Sequence, residues 1–167
     1  ADACLDCSEG TVANAVGATA CAVCPAGTFS SSTSSCESCP IGKYSDTVSG
    51  TVSCINCSEG TVANAVGATA CAVCPAGTFS SSTSSCESCS IGKFSPSGSV
   101  KCSTCSNGTA AVLTGSSECE TCAAGRFSTG SVCELCPMGK YINAEGGADA
   151  CINCSEGTVA NAVGATA

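Results

Sequence analysis

Histidine and tryptophan are missing from this 167-residue sequence, methionine occurs once, and lysine and arginine together number five. Without an imidazole the chain has no ordinary general base near neutral pH and no His ligand for a metal. The acids are scattered through polar stretches and do not converge among apolar neighbours, so no catalytic residue is assigned and the protein is expected not to be an enzyme. Five cations against thirteen acids, a net charge of -8, leave no basic footprint for a polyphosphate backbone, which excludes nucleic acid as a partner. Aromatic side chains are limited to four Phe and two Tyr, and large aliphatic ones are scarce. Apolar burial alone therefore cannot offset the entropy of ordering the backbone. No run approaches the roughly 18 apolar residues of a membrane-spanning helix, and the first residues do not read as a signal peptide. The expectation is a soluble segment whose secretion signal lies outside it.

Cysteine is what the sequence has in excess. Twenty cysteines are about an eighth of the chain, the level of a disulfide scaffold. A cytosolic thiol pool keeps so many thiols reduced, so the composition predicts an extracellular or cell-surface location.

Every cysteine belongs to a Cys-x-x-Cys pair, and there are ten pairs: 4/7, 21/24, 36/39, 54/57, 71/74, 86/89, 102/105, 119/122, 133/136 and 151/154. Three residues after the second cysteine of each pair stands a glycine, from Gly10 through Gly157, giving Cys-x-x-Cys-x-x-Gly ten times. Two residues beyond the glycine lies a position that holds all six aromatics: Phe29, Tyr44, Phe79, Phe94, Phe127 and Tyr141. This pattern predicts a turn, a short extended segment whose large side chain covers the neighbouring disulfide, and a polar loop. Pro25, Pro40, Pro75 and Pro137 follow the pair directly, which places Pro and Gly where a type I turn prefers them. Residues 11–20 could be read as a short helix, but Gly17 and the closed loop argue against one.

Residues 7–39 recur unchanged at 57–89, and 154–167 repeat 7–20. Modules come in threes, a Val-Ala type, a Phe-Ser type and a Tyr or Phe type. The organisation read from this is three cysteine-rich triplets, 1–53, 54–101 and 102–150, with 151–167 opening a further repeat of a longer array. The predicted fold class is small and disulfide-rich: an extended tandem array of short β-turn and β-strand modules, stapled by disulfides, with little helix.

Repetition constrains the pairing of the cysteines, because identical modules should play identical roles. Pairing modules two by two would give modules 1 and 4 opposite roles, and groupings of three and nine forbid it. The scheme that survives translation joins the second cysteine of each pair to the first of the next: Cys7-Cys21, Cys24-Cys36, Cys39-Cys54, Cys57-Cys71, Cys74-Cys86, Cys89-Cys102, Cys105-Cys119, Cys122-Cys133 and Cys136-Cys151. Cys4 and Cys154 are then left for neighbouring repeats. A bond inside each Cys-x-x-Cys respects the same symmetry but constrains only a tiny loop.

Paired Cys-x-x-Cys units also resemble four-cysteine zinc sites. Such sites consume two modules each, which meets the same odd-number obstacle, so no metal is assigned. A thioredoxin-like redox role needs a βαβ context that the sequence lacks. Glu9, Glu59 and Glu156 recur two residues after the pair, where weak calcium binding competes with a plain solvated face. Three N-x-S/T sequons, at Asn107, Asn56 and Asn153, are candidate N-glycan sites, Asn107 the best because Cys57 and Cys154 occupy the middle of the other two. Serine and threonine make up about a quarter of the chain and cluster at 30–35 and 80–85, where they either carry O-glycans or fill exposed loops. No cofactor is expected beyond covalently attached carbohydrate.

The segments CPAGTFS at 24–30 and 74–80, CPIGKYS at 39–45 and CPMGKY at 136–141 resemble the cysteine-rich repeats of ephrin-receptor ectodomains, themselves similar to EGF-like and tumour-necrosis-factor-receptor modules. The Val-Ala modules and the stretch 105–108 depart from that pattern by lacking Pro and the aromatic. The resemblance implies extracellular, elongated, disulfide-linked repeats. Long near-identical arrays of this kind resemble large surface proteins of algae and other protists, including flagellar hair (mastigoneme) proteins. A structural subunit of a fibre, filament or stalk, partnered by copies of itself or other fibre subunits, is the function this implies. A ligand-binding cysteine-rich ectodomain is the alternative.

Overall fold

The computed structural model describes residues 4–46, 50–142 and 147–166. Nine two-stranded antiparallel hairpins make up its regular structure, and no helix occurs among the described residues. The chain divides into two compact units, Ala1–Cys74 with Ser80–Cys86 and Pro75–Phe79 with Glu87–Ala167.

Each module begins its fold at the glycine. The N–H of the following residue donates to the carbonyl three residues back, as in Thr28 to Pro25 at 3.0 Å and Lys43 to Pro40 at 3.1 Å. All ten modules make this bond. The glycine occupies the third position of the turn with φ between +75° and +84°, the signature of a type II turn. This corrects the type I reading: the turn sits one residue further on, and proline takes its first position, where its fixed φ is not required. Modules with Ser or Ala in place of Pro close the same turn, for example Thr61 onto Ser58 and Arg126 onto Ala123. Glycine, not proline, is therefore the determinant. In six modules a threonine follows it and its Oγ1 donates to the same carbonyl, at 2.6–2.8 Å, adding a side-chain tie to the turn.

The two residues after the glycine form the first strand of a hairpin, and the second strand is the pair of residues between the next two cysteines. Thr11–Val12 pairs with Ala22–Val23, Thr28–Phe29 with Glu37–Ser38, and Lys43–Tyr44 with Ile55–Asn56. The same register continues to Lys140–Tyr141 with Ile152–Asn153. Phe29 faces Glu37 and Tyr44 faces Ile55 across their hairpins. That the Cys-x-x-Cys segment is itself a strand went unpredicted, because two residues carry no period of their own.

Sulfur and small side chains make up most of the interior of each unit. Cys24, Cys39, Cys74 and Cys136 are fully buried, as are Ser45, Ser95 and Ile142. The aromatics are only half-buried, and most large aliphatic side chains lie exposed, Leu5, Val16 and Met138 among them.

Gly77 and Gly115 share a left-handed backbone but differ in surroundings. A Cβ on Gly77 would meet the Gly115 carbonyl oxygen at 1.9 Å, whereas one on Gly115 meets nothing nearer than 3.9 Å. In urea unfolding of the oxidised protein, Gly115→Ala loses about 1–2 kcal/mol, the cost of the left-handed conformation alone. Gly77→Ala loses distinctly more.

Candidate functional site: the junction between modules

What recurs in this chain is a junction. The structure joins Cys7 to Cys21, Cys24 to Cys36, Cys39 to Cys54, Cys57 to Cys71 and Cys74 to Cys86. It continues with Cys89 to Cys102, Cys105 to Cys119, Cys122 to Cys133 and Cys136 to Cys151. Each bond runs from the second cysteine of one module to the first of the next, with Cα atoms 5.5–5.7 Å apart, within the ordinary span of a disulfide. The second cysteine is buried in modules 2 to 9, while its partner is half-exposed or exposed. Cys4 and Cys154 are not bridged within residues 1–167.

Backbone groups surround each sulfur bridge in a fixed pattern. The N–H of the second cysteine donates to the turn glycine of the preceding module in all nine steps, from Cys24 onto Gly10 to Cys154 onto Gly139, at 2.9–3.2 Å. The glycine N–H points the other way. Gly42 donates to Ala63 at 2.8 Å and Gly139 to Ala160 at 2.9 Å, each into the following module. Three residues after the glycine, a further N–H reaches the loop of the next module, as in Ser45 to Ala68 and Ile142 to Ala165, both 3.1 Å. Where a Val-Ala module follows a Tyr or Phe module, its loop glycine returns a bond: Gly67 to Cys39, Gly115 to Cys89 and Gly164 to Cys136, at 2.7–2.8 Å. These buried polar groups are thereby satisfied by the neighbouring module, which is what lets the chain dispense with longer strands.

Turn glycines also lie against the module after next. A Cβ on Gly27 would come within 2.3 Å of the Gly67 carbonyl oxygen, and one on Gly125 within 2.2 Å of that of Gly164. No side chain fits between them.

The residue three after each glycine went unremarked in the sequence, yet it is the structural centre of the junction. Ser30, Ser45, Ser80, Ser95 and Ser128 occupy this column, all buried, together with Ala63, Ala111 and Ile142. Its signal was legible as a run of small residues in one phase. Ser95 Oγ donates to the Thr78 carbonyl at 2.9 Å and lies 3.3 Å from the Cys89 sulfur. Ser128 Oγ accepts the Gly130 N–H at 2.9 Å, and Ser30 and Ser80 bond to the carbonyls of Ser32 and Ser82. Ser45 Oγ is buried without a partner.

The three sequon asparagines are exposed. Asn56 and Asn153 lie in second strands, opposite Lys43 and Lys140. Asn107 sits at the apex of the turn that Thr109 closes onto Ser106, with its Nδ2 3.5 Å from Asp149 Oδ2. Glu9, Glu59 and Glu156 are likewise exposed and are not brought together with other acids. Among the described residues no group of three or more Cys, Asp or Glu side chains is placed to hold a metal ion. No helix of the described residues is long and apolar enough to cross a membrane. The junction's chemistry is propagation: each module offers its successor one sulfur, one edge of a strand and a set of oriented peptide groups.

A family model described as tyrosine-protein kinase ephrin type A/B receptor-like matches residues 27–74 and 127–167. Comparison with curated proteins finds no match.

Two serines of this column separate a satisfied hydroxyl from an orphaned one. Ser95→Ala removes a buried hydrogen bond and loses about 1 kcal/mol, while Ser45→Ala is neutral or stabilising, because it deletes a buried hydroxyl that has no partner. Paired thermal unfolding of the two variants reads the difference. Replacing Cys74 and Cys86 together by serine opens a loop with a sequence separation of 12 and loses about 3 kcal/mol in the same measurement.

Proposed function

Because the chain belongs to the tyrosine-protein kinase ephrin type A/B receptor-like family of cysteine-rich repeats, a non-catalytic module type, we propose that it is a structural segment of an extracellular glycoprotein fibre, filament or cell-surface stalk. A flagellar hair shaft is one such structure. The observation that carries this reading is the sameness of the junction. Nine successive steps use one disulfide and one cysteine-to-glycine hydrogen bond each, in equivalent positions. A module that contacts its neighbours through equivalent groups does the same mechanical job wherever it stands, which suits a load-bearing repeat.

The disulfide content and the family both favour an oxidising location outside the cytosol. Carbohydrate on Asn107, and on Asn56 and Asn153, belongs to the proposal, since the surface carries few charges. Copies of the chain or other fibre subunits are its partners.

A second reading, a ligand-binding cysteine-rich ectodomain, draws on the exposed apolar side chains Ile41, Ile91 and Met138, which recur at the same turn position of successive Tyr or Phe modules. Such side chains are the material of binding anchors.

Immunogold electron microscopy of native material, with antibody raised against the oxidised chain, distinguishes the two. Label repeating along fibres, with the fibres dispersed by dithiothreitol, supports the structural reading. Label confined to isolated surface particles that retain a soluble ligand overturns it in favour of the second.

A further inference from the structure

Each bridge presents its two sulfurs unequally. The second cysteine of a pair is buried in modules 2 to 9, and its partner in the next pair is half-exposed or exposed. A thiol that exchanges with such a bridge must reach the sulfur it attacks, so access selects the partner. The buried cysteine is then the leaving group, and its sulfur is released as a thiolate inside the protein, where an unsatisfied charge is costly.

Two bridges alike in burial differ in what surrounds them. Cys89 and Cys136 are fully buried, while their partners Cys102 and Cys151 are half-exposed. Ser95 Oγ lies 3.3 Å from the Cys89 sulfur and donates to the Thr78 carbonyl at 2.9 Å. In the module of Cys136 the same column holds Ile142, which has no hydroxyl to offer.

Charge supplies a second, independent difference. Cys102 follows Lys101, and no other bridged first cysteine follows a cation. The loop closed by Cys89 and Cys102 carries Lys93 and Lys101, both exposed, and residues 88–117 contain no Asp or Glu. This is a cationic stretch in a chain of net charge -8. In the loop closed by Cys136 and Cys151, Lys140 is outnumbered by Glu145 and Asp149.

We propose that Cys102 is a modification site for an anionic low-molecular-weight thiol of the glutathione class, which adds to its sulfur and releases Cys89 against the Ser95 hydroxyl. Lys101 attracts the incoming anion and takes no part in the bond exchange. The glutathione thiolate attacks Cys102 Sγ, a new S–S bond forms between them, and the Cys89–Cys102 bond breaks with its electron pair on Cys89. The incoming sulfur is oxidised to the disulfide level and the Cys89 sulfur is reduced. As charge develops on Cys89, the Ser95 hydroxyl turns from the Thr78 carbonyl to donate to it. Once Cys89 has taken a proton from water, the hydroxyl returns to Thr78 and accepts the new S–H, so neither buried group is left without a partner. The inference stands whether the array serves as a fibre or as an ectodomain.

Its test is exchange on the purified full chain, with Cys4 and Cys154 first blocked by alkylation. The chain meets excess glutathione briefly at low ionic strength, is quenched with acid, unfolded, labelled with N-ethylmaleimide and mapped by mass spectrometry. Glutathione is found on Cys102 and maleimide on Cys89, at least about tenfold over the reverse placement, and this bridge opens ahead of Cys136–Cys151. Lys101→Gln slows its reaction with glutathione about threefold and leaves that with neutral 2-mercaptoethanol unchanged, and about 0.5 M salt acts on the wild type in the same way. Ser95→Ala slows opening by both thiols at Cys89–Cys102 alone, whereas mere loosening of the fold would speed it.

Glutathione on Cys89, opening of Cys136–Cys151 at the same rate, an equal effect of Lys101→Gln on both thiols, or faster opening in Ser95→Ala each overturn the assignment.

Discussion

The constraint on which this structure depends is the approach of one peptide group to the bare Cα of another. Turn glycines lie so close to backbone carbonyls two modules away that a single added carbon would sit 1.9–2.7 Å from main-chain atoms at Gly10, Gly27, Gly77, Gly108 and Gly125. Because those glycines also take a left-handed conformation, they answer two requirements with one residue. Close approach in turn brings the second cysteine N–H onto the glycine carbonyl and aligns its sulfur with the next module. Sulfur, small side chains and peptide bonds then fill an interior that a chain of this composition could not fill with leucine or phenylalanine.

The architecture was largely legible in the sequence, because it is written in residues whose chemistry is unambiguous. Ten Cys-x-x-Cys-x-x-Gly motifs announce a repeated turn, and Gly17 together with the closed loop argues against a helix in residues 11–20, where none is found. Two features were not legible. The turn falls one residue later than the Pro-x-Gly spacing suggests, since a glycine in the third position decides the geometry, and proline in the first is tolerated without being needed. The second strand is two residues long, too short for alternation to show, and its identity depends on a hairpin partner that only the folded chain supplies. The aromatics share one phase of the repeat and are only half-buried, whereas one residue further along modules 2 to 9 bury a Ser or Ala, or in one case Ile142.

As a site, the junction differs from a pocket in that it is made almost wholly of backbone and sulfur. Side chains at loop tips, such as Val16, Val66 and Leu113, are left outside it and exposed. Those positions can vary without touching the joints, which leaves one scaffold open both to lateral contacts and to the display of binding groups.

The sulfur bridges also set how the polypeptide carries tension. A pull between distant residues does not travel through the loops: it passes along a Cys-x-x-Cys segment, crosses a disulfide, and enters the next such segment. The residues between Cys24 and Cys36, like those of every other closed loop, are slack stored off the load path. At about 3.3–3.6 Å per extended residue, each opened bridge releases contour on the order of 40 Å. The covalent path through the bridges thus has a nearly fixed contour, and each bridge that a reductant opens adds one loop to it.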